Sequence, residues 1–241
     1  MSNGLFFNII NQLRIIKYDG VICIHRYNEP LADATYTLLR LSSIRNFLPN
    51  AVIRLVTNGD YLDKELMFTL LEIGVNEILV TVHANNFSDT FEDVISELKV
   101  RVAKLNLPFC FENYEKENSF RAFLQIENLS ITYQAVDFFA QKDNGTIRAY
   151  DRGGYIVNNS GFIRTKPCLI PFWQLQIEYD GTLLPCCNVH PDLDAHKNYV
   201  LGKLTSESNI FTEWTNDNYV NWRKKLIGTE RKFAPCGHCN M

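Results

Sequence analysis

Apolar residues recur at spacings of three and four through Leu5, Ile9, Leu13 and Ile16, so the chain opens with an amphipathic helix that Ser2 can cap. Gly20 ends that pattern ahead of Val21–His25, a short apolar run without polar alternation. Residues of about 33–47 return to helical spacing, Pro49 and Asn50 punctuate, and Val52–Val56 forms a second apolar run. Leu62, Leu66, Leu70 and Ile73 stripe the next helix, which Gly74 stops. Ile78–Val82 is a third strand, and Val94, Leu98, Val102 and Leu105 mark a further helix. Strands apolar on both faces, alternating with amphipathic helices, predict an α/β fold with a parallel sheet covered by helices. Between residues 110 and 150 the periodicity blurs, and it supports only a helix near 131–140 and a strand near 146–150.

The pattern changes after Gly153-Gly154 and the polar stretch Asn158–Gly161, which places a domain boundary near residue 160 and gives units of 1–160 and 161–241. Trp173–Tyr179, Asp180-Gly181 and Thr182–Leu184 read as a β-hairpin, because Asp-Gly favours the positive φ of a two-residue turn. A polar loop over 189–200 follows, then one helix over Ile210–Ile227 with Trp214 and Trp222 among its apolar positions.

Composition narrows the class. Apolar residues are 46% and charged residues 21% of the 241, ordinary for a globular protein, so extended disorder is excluded. With 24 Lys+Arg against 27 Asp+Glu, the net charge of −3 offers no footprint for nucleic acid or an anionic membrane surface. No stretch approaches the roughly 18 apolar residues of a spanning helix. The first residues lack a basic leader and a small-residue cleavage site, so a cytoplasmic location is expected.

The seven cysteines are unevenly placed. Cys23 and Cys110 stand in apolar runs and are expected in the core. The other five fall in the last third, and clustered cysteines in a reducing compartment point to metal or redox chemistry rather than disulfides. Cys236 and Cys239 form a CxxC on a tight turn that Gly237 eases. The hairpin returns the chain so that Cys168 and Cys186 can meet at one end, and the following helix can bring the CxxC back to them. Four thiolates then converge, a set that zinc and a 4Fe–4S cluster both accept; spacing does not choose between the two metals. Adjacent side chains on extended backbone face opposite ways, so only one of Cys186 and Cys187 should ligate, and Cys186 is preferred. His190, His196 and His238 are expected as exposed loop residues rather than ligands.

These residues resemble a known family. Lys166-Pro-Cys-Leu-Ile-Pro, then Ile177-Glu-Tyr-Asp-Gly-Thr-Leu-Leu-Pro-Cys-Cys, Leu201-Gly-Lys-Leu and the final Pro235-Cys-Gly-His-Cys resemble the SPASM/twitch domain. That domain is appended to radical S-adenosylmethionine (SAM) enzymes and holds auxiliary iron–sulfur clusters. The resemblance implies the shorter form with one auxiliary 4Fe–4S cluster, ligated by Cys168, Cys186, Cys236 and Cys239. The first 160 residues resemble the partial (β/α)6 barrel of the same superfamily. Tyr27, Asn28 and Glu29, followed by Pro30-Leu31, resemble its GGEPL-type segment, which receives the SAM amino group. Thr57-Asn58-Gly59 resembles its TNG on the SAM side, and Asp151-Arg-Gly-Gly resembles the segment that ends the barrel.

One departure weighs against the match. The family cleaves SAM at a cluster held by CxxxCxxC after the first strand, and no such motif occurs in these residues. The expectation is therefore a barrel missing its first strand, with Val21–His25 as an exposed apolar edge and SAM binding possible only with the missing motif. Three functions stay open: the bulk of a radical SAM enzyme, a non-catalytic cluster protein for electron transfer or peptide binding, and a zinc-stabilised module. The substrate (peptide, sugar or other small molecule) and the catalytic residues are not named by the sequence; Glu112, Asp137 and Arg152 are cavity candidates. A reductant protein is a possible partner.

Overall fold

The computed structural model describes residues 1–83, 89–114, 119–136 and 163–239. They form two compact units, residues 13–136 in one and residues 1–12 with 163–239 in the other. The expected boundary near 160 and the expected strand at 146–150 lie outside the described residues, as do Asp137, Arg152 and the Asp151 segment. Among the described residues no helix is long and apolar enough to cross a membrane.

The first unit is built on β1 (Val21–Cys23), β2 (Val52–Thr57), β3 (Glu77–Val82), β4 (Cys110–Tyr114), β5 (Ser119–Ile126) and β6 (Leu129–Val136) in the order β1-β2-β3-β6-β5-β4. β1, β2, β3 and β6 run parallel, while β4, β5 and β6 form an antiparallel meander. Helices α2 (Ala34–Phe47), α3 (Lys64–Ile73) and α4 (Phe91–Leu105) alternate with the parallel strands; α2 packs on β2, and α4 on β3 and β6. Their ends are capped as the sequence permits. The Asp63 carboxylate accepts from the Leu66 N–H at 2.8 Å, Gly74 closes α3 at φ 89°, and Thr90 with Asp93 forms a capping box on α4.

Three expectations change here. Burial alternates along β2 and β3, so Ile53, Leu55, Ile78 and Val80 are sealed under helices while the opposite face is only half covered. Residues 131–136 are strand, not helix: Ile131, Tyr133 and Ala135 are buried at the period of two, and β6 pairs on both sides. Cys23 and Cys110 are exposed, not core, because β1 and β4 are the two edge strands of the sheet. β1 is the expected edge, with Val21 46% exposed.

The second unit holds α1 (Asn3–Ile15) through its residue 12, α5 (Ile170–Trp173), β7 (Gln176–Ile177), β8 (Thr182–Leu184), β9 (Gly202–Lys203), α6 (Ile210–Trp214) and α7 (Asp217–Ile227). α1 buries Leu5, Phe6, Ile9 and Ile10. Its Asn8 and Gln12 amides donate to the Ser208 carbonyl at 2.8 and 2.9 Å, so the first residues of the chain are fastened to the C-terminal region. The three short strands form an antiparallel sheet in the order β7-β8-β9.

The hairpin is present, but Trp173 belongs to α5 and the turn is longer than two residues. Glu178 N–H donates to the Thr182 carbonyl at 2.8 Å, and only Gly181 takes positive φ, at 90°. That is a three-residue loop with its glycine in the left-handed position. A Cβ on Gly181 would lie 2.2 Å from the Leu204 carbonyl oxygen, so the chain just past β9 also requires the glycine. The expected single helix over 210–227 breaks into α6 and α7, because the Asn216 side chain turns back to cap the Tyr219 N–H at 2.9 Å. His196 is buried rather than exposed, and its Nδ1 accepts from the His190 N–H at 3.0 Å.

Candidate functional site

Cys168, Cys186, Cys236 and Cys239 line one pocket in the second unit. They arrive on three pieces of local structure. Cys168 precedes α5, and its N–H donates to the Leu226 carbonyl of α7 at 3.1 Å. Cys186 leaves β8, which the Tyr219 hydroxyl pins to α7 by donating to the Leu184 carbonyl at 2.9 Å. Cys236 opens a single 3-10 turn (Cys236–His238), and the Cys239 N–H donates back to the Cys236 carbonyl at 3.2 Å. Ile170, Pro171, Trp222 and Leu226 supply the apolar wall. Trp222 is held edge-on against Phe233, with ring centroids 4.7 Å apart.

Cys187 is half-buried and does not line the pocket; it and Cys186 lie in a bend and turn after β8 rather than on the extended backbone that the sequence reading assumed. Cys23 and Cys110 lie in the other unit. Among the described residues no three His, Cys, Asp or Glu side chains crowd within reach of a single ion.

Electrostatics give this site its chemistry. Burial pushes the Cys186 thiol up to about 12, against a hydrogen bond from the Asn188 backbone, and the charges of Cys187, Cys239 and Cys168 add to the rise. Burial and the neighbouring thiols push Cys236 up as well, against the Arg164 charge. Four thiolates in an apolar pocket repel one another, and a positive metal centre between them is what makes that form favourable. An all-sulfur donor set suits soft metals, iron–sulfur clusters and zinc among them. The residues present fit such a group.

Two polar residues that the sequence reading passed over stand at this pocket. Arg164 is 9% exposed, and its Nη1 donates to the Cys239 carbonyl at 3.2 Å. Asn188 is 3% exposed, and its Nδ2 donates to Cys239 Sγ at 3.3 Å. Neither carried a sequence signal of its place here: Asn188 is one of several polar residues close to the cysteines, and Arg164 lies in a stretch without periodicity.

The SAM-side candidates lie in the first unit, just past the C-terminal ends of β1 and β2. Glu29, Thr57 and Asn58 come together: the Glu29 carboxylate accepts from the Thr57 hydroxyl at 2.6 Å, the Asn58 N–H at 2.8 Å and the Leu31 N–H at 3.0 Å. Tyr27 and Asn28 are exposed, and the Arg26 guanidinium lies over the Tyr27 ring, 4.5 Å from its centroid. Gly59 takes φ 80° under Val80, where a Cβ would sit 2.6 Å from a methyl group. Arg101, also missed in the sequence, braces this turn from α4 by donating to the Asn58 carbonyl and pairing with Asp60 and Glu97, each at 2.7 Å. Glu112 is exposed on edge strand β4.

Comparison with known proteins bears on both units. Residues 168–240 match the SPASM model, described as an iron–sulfur cluster-binding domain. The S-adenosyl-L-methionine-dependent 2-deoxy-scyllo-inosamine dehydrogenase of Niallia circulans is 24% identical over 245 residues, an alignment spanning 100% of this chain and 80% of the relative. Among solved structures, BtrN in an open conformation superposes with a TM-score of 0.62 at 21% identity, covering 100% of this chain and 80% of that one. BtrN in complex with AdoMet and 2-DOIA also gives 0.62, at 23% identity, over 95% of this chain and 75% of that one. The shared fold, the whole-length similarity to a SAM-dependent dehydrogenase and the match of residues 168–240 to an iron–sulfur cluster-binding domain together support a protein of the radical SAM/SPASM type.

Proposed function

We propose that Cys168, Cys186, Cys236 and Cys239 hold one 4Fe–4S cluster, and that the chain is the SPASM-bearing body of an enzyme that oxidises a small molecule with SAM. The observation that carries the first part is that four cysteine side chains line one apolar pocket within the stretch matching the iron–sulfur model. When bound, the cluster supplies a one-electron acceptor or donor shielded from water by Trp222 and its neighbours. Support for the second part comes from the whole-chain similarity to a dehydrogenase of a small molecule. A reducing, cytoplasmic setting and a reductant protein as partner suit a chain with this many free thiols.

In the first unit, Glu29 is the residue best suited to a SAM ammonium. A carboxylate has about four acceptor sites, and three of those on Glu29 are taken by Thr57, Asn58 and Leu31. The remaining one can receive a charged donor without dismantling the loop. Tyr27, Asn28 and the Asn58 side chain then border that position as SAM contacts.

The residues do not fit the second group that this chemistry needs. The seven cysteines include no CxxxCxxC, so these 241 residues supply no ligand set for a SAM-cleaving cluster, and no radical step is derived for them. That same observation favours a second reading, a cluster protein that moves electrons without cleaving SAM itself. The test is anaerobic reconstitution with iron and sulfide, followed by SAM and dithionite. The expected outcome is a protein with iron–sulfur absorption in the visible and no 5′-deoxyadenosine. A colourless protein that retains zinc instead would overturn the cluster; 5′-deoxyadenosine would show that other ligands replace the motif.

A further inference from the structure

We propose that Arg164 and Asn188 raise the reduction potential of the cluster above what four thiolates alone would set. The inference rests on the cluster reading above and concerns what surrounds the sulfurs. Asn188 aims its Nδ2 at Cys239 Sγ from 3.3 Å, at a buried position. Arg164 lines the same pocket and is fixed there from several sides. Its Nη1, Nη2 and Nε donate to the carbonyls of Cys239, Pro167 and Lys166 at 3.2, 3.1 and 3.2 Å. Its N–H donates to the Gly237 carbonyl at 2.8 Å, and its own carbonyl accepts from the Lys232 N–H at 3.0 Å. The guanidinium is thereby tied to the turn that carries Cys236 and Cys239.

Reduction adds one electron to a group that four thiolates already make anionic. A fixed cation and an N–H donor on sulfur stabilise that added charge more than they stabilise the oxidised form, and both effects favour reduction. The apolar wall strengthens them, because little water stands between the charges. Arg164 and Asn188 act on the cluster through the field they impose; they are positioning residues for an electron, not ligands.

The test uses the full chain reconstituted anaerobically with iron and sulfide. It reads iron content, visible absorption and the midpoint potential from an EPR-monitored redox titration. Asn188→Leu and Arg164→Gln are each expected to keep the cluster and to weaken the reduction equilibrium about tenfold, which for one electron is about 59 mV downward. Arg164→Lys keeps the charge and is expected to stay closer to the wild-type potential than Arg164→Gln does. A merely structural role would change cluster content without moving the potential of the clusters that form. If Arg164→Gln holds no cluster, Asn188→Leu decides: a lowered potential supports the proposal, and an unchanged one overturns it. Fully loaded variants at the wild-type potential overturn it outright. A wild-type chain that takes up no cluster overturns the cluster reading instead, before any potential is measured.

Discussion

Replacing Glu29 by alanine tests whether one carboxylate ties the loop after β1 to the loop after β2. The substitution removes the acceptor of three donors: the Leu31 N–H at 3.0 Å, the Asn58 N–H at 2.8 Å and the Thr57 hydroxyl at 2.6 Å. A hydrogen bond to a charged group contributes about 1.5–3 kcal/mol net. Three on one carboxylate share its charge and are not additive, and Glu29 is only half-buried, so the combined loss is about 3 kcal/mol. For a chain of this size, each kcal/mol moves the unfolding midpoint by about 2–4 °C, which predicts a fall of about 6–12 °C. Glu29→Gln keeps one acceptor oxygen but turns an amide N–H2 toward a backbone or hydroxyl donor, so it should fall by less than half as much. Thermal unfolding gives the midpoint, and hydrogen exchange of peptides spanning residues 57–60 locates the loss. A Glu29→Ala protein within 2 °C of wild type, with unchanged exchange at Asn58, would refute the reasoning and leave the whole carboxylate for a ligand.

Gly181→Ala combines a positive φ with a Cβ placed 2.2 Å from the Leu204 carbonyl oxygen, so soluble yield and cluster uptake should both drop, whereas Gly20→Ala, which meets only the Tyr18 side chain, should be tolerated. Asp180 titrates near 2 because, although burial raises it, hydrogen bonds from Lys203 and Thr182 and the Lys203 charge pull it down from 3.8. A depressed folded value means that its stabilisation is present above the unfolded value and is lost as pH falls from about 4 toward 2. Carboxyl NMR should show this, and Lys203→Met should return Asp180 toward 3.8; no change in that variant would contradict the pairing. Arg101→Met should loosen the turn at Asn58-Gly59, read as faster exchange there with α4 unaffected, since the Asp60 and Asn58 contacts depend on the guanidinium and the helix does not.

The strand–helix alternation up to residue 105 was legible because α1, α3 and α4 carry an apolar stripe, the helices carry capping residues, and each strand is a short apolar run; α2, which buries Thr37 and Arg40 beside Leu41 and Ile44, was the least marked. The meander of β4 to β6 was not legible. Its tight turn is Glu127-Asn128, and the positive φ, 50°, falls on Glu127 rather than on a glycine or on Asn128, so the pair does not read as a hairpin turn. Burial on edge strands was misread for a related reason: Cys23 and Cys110 sit in apolar runs, but only sheet order reveals that nothing pairs beyond β1 and β4 among the described residues. The site's sulfur set was visible as spacing, since cysteine is rare enough for five in 72 residues to stand out. Arg164 and Asn188 were not, because a polar residue near a cysteine acquires meaning only once packing shows that it is buried and pointed at sulfur.

The most direct test of the account is iron and sulfide per chain after anaerobic reconstitution, measured on the wild type and on single alanine variants of all seven cysteines. The account predicts about four irons for the wild type, a count set by one cubane on four thiolates. It predicts loss of iron from the Cys168, Cys186, Cys236 and Cys239 variants, and a near wild-type content for the Cys23, Cys110 and Cys187 variants. Eight irons per chain, or full iron in Cys239→Ala, would contradict it.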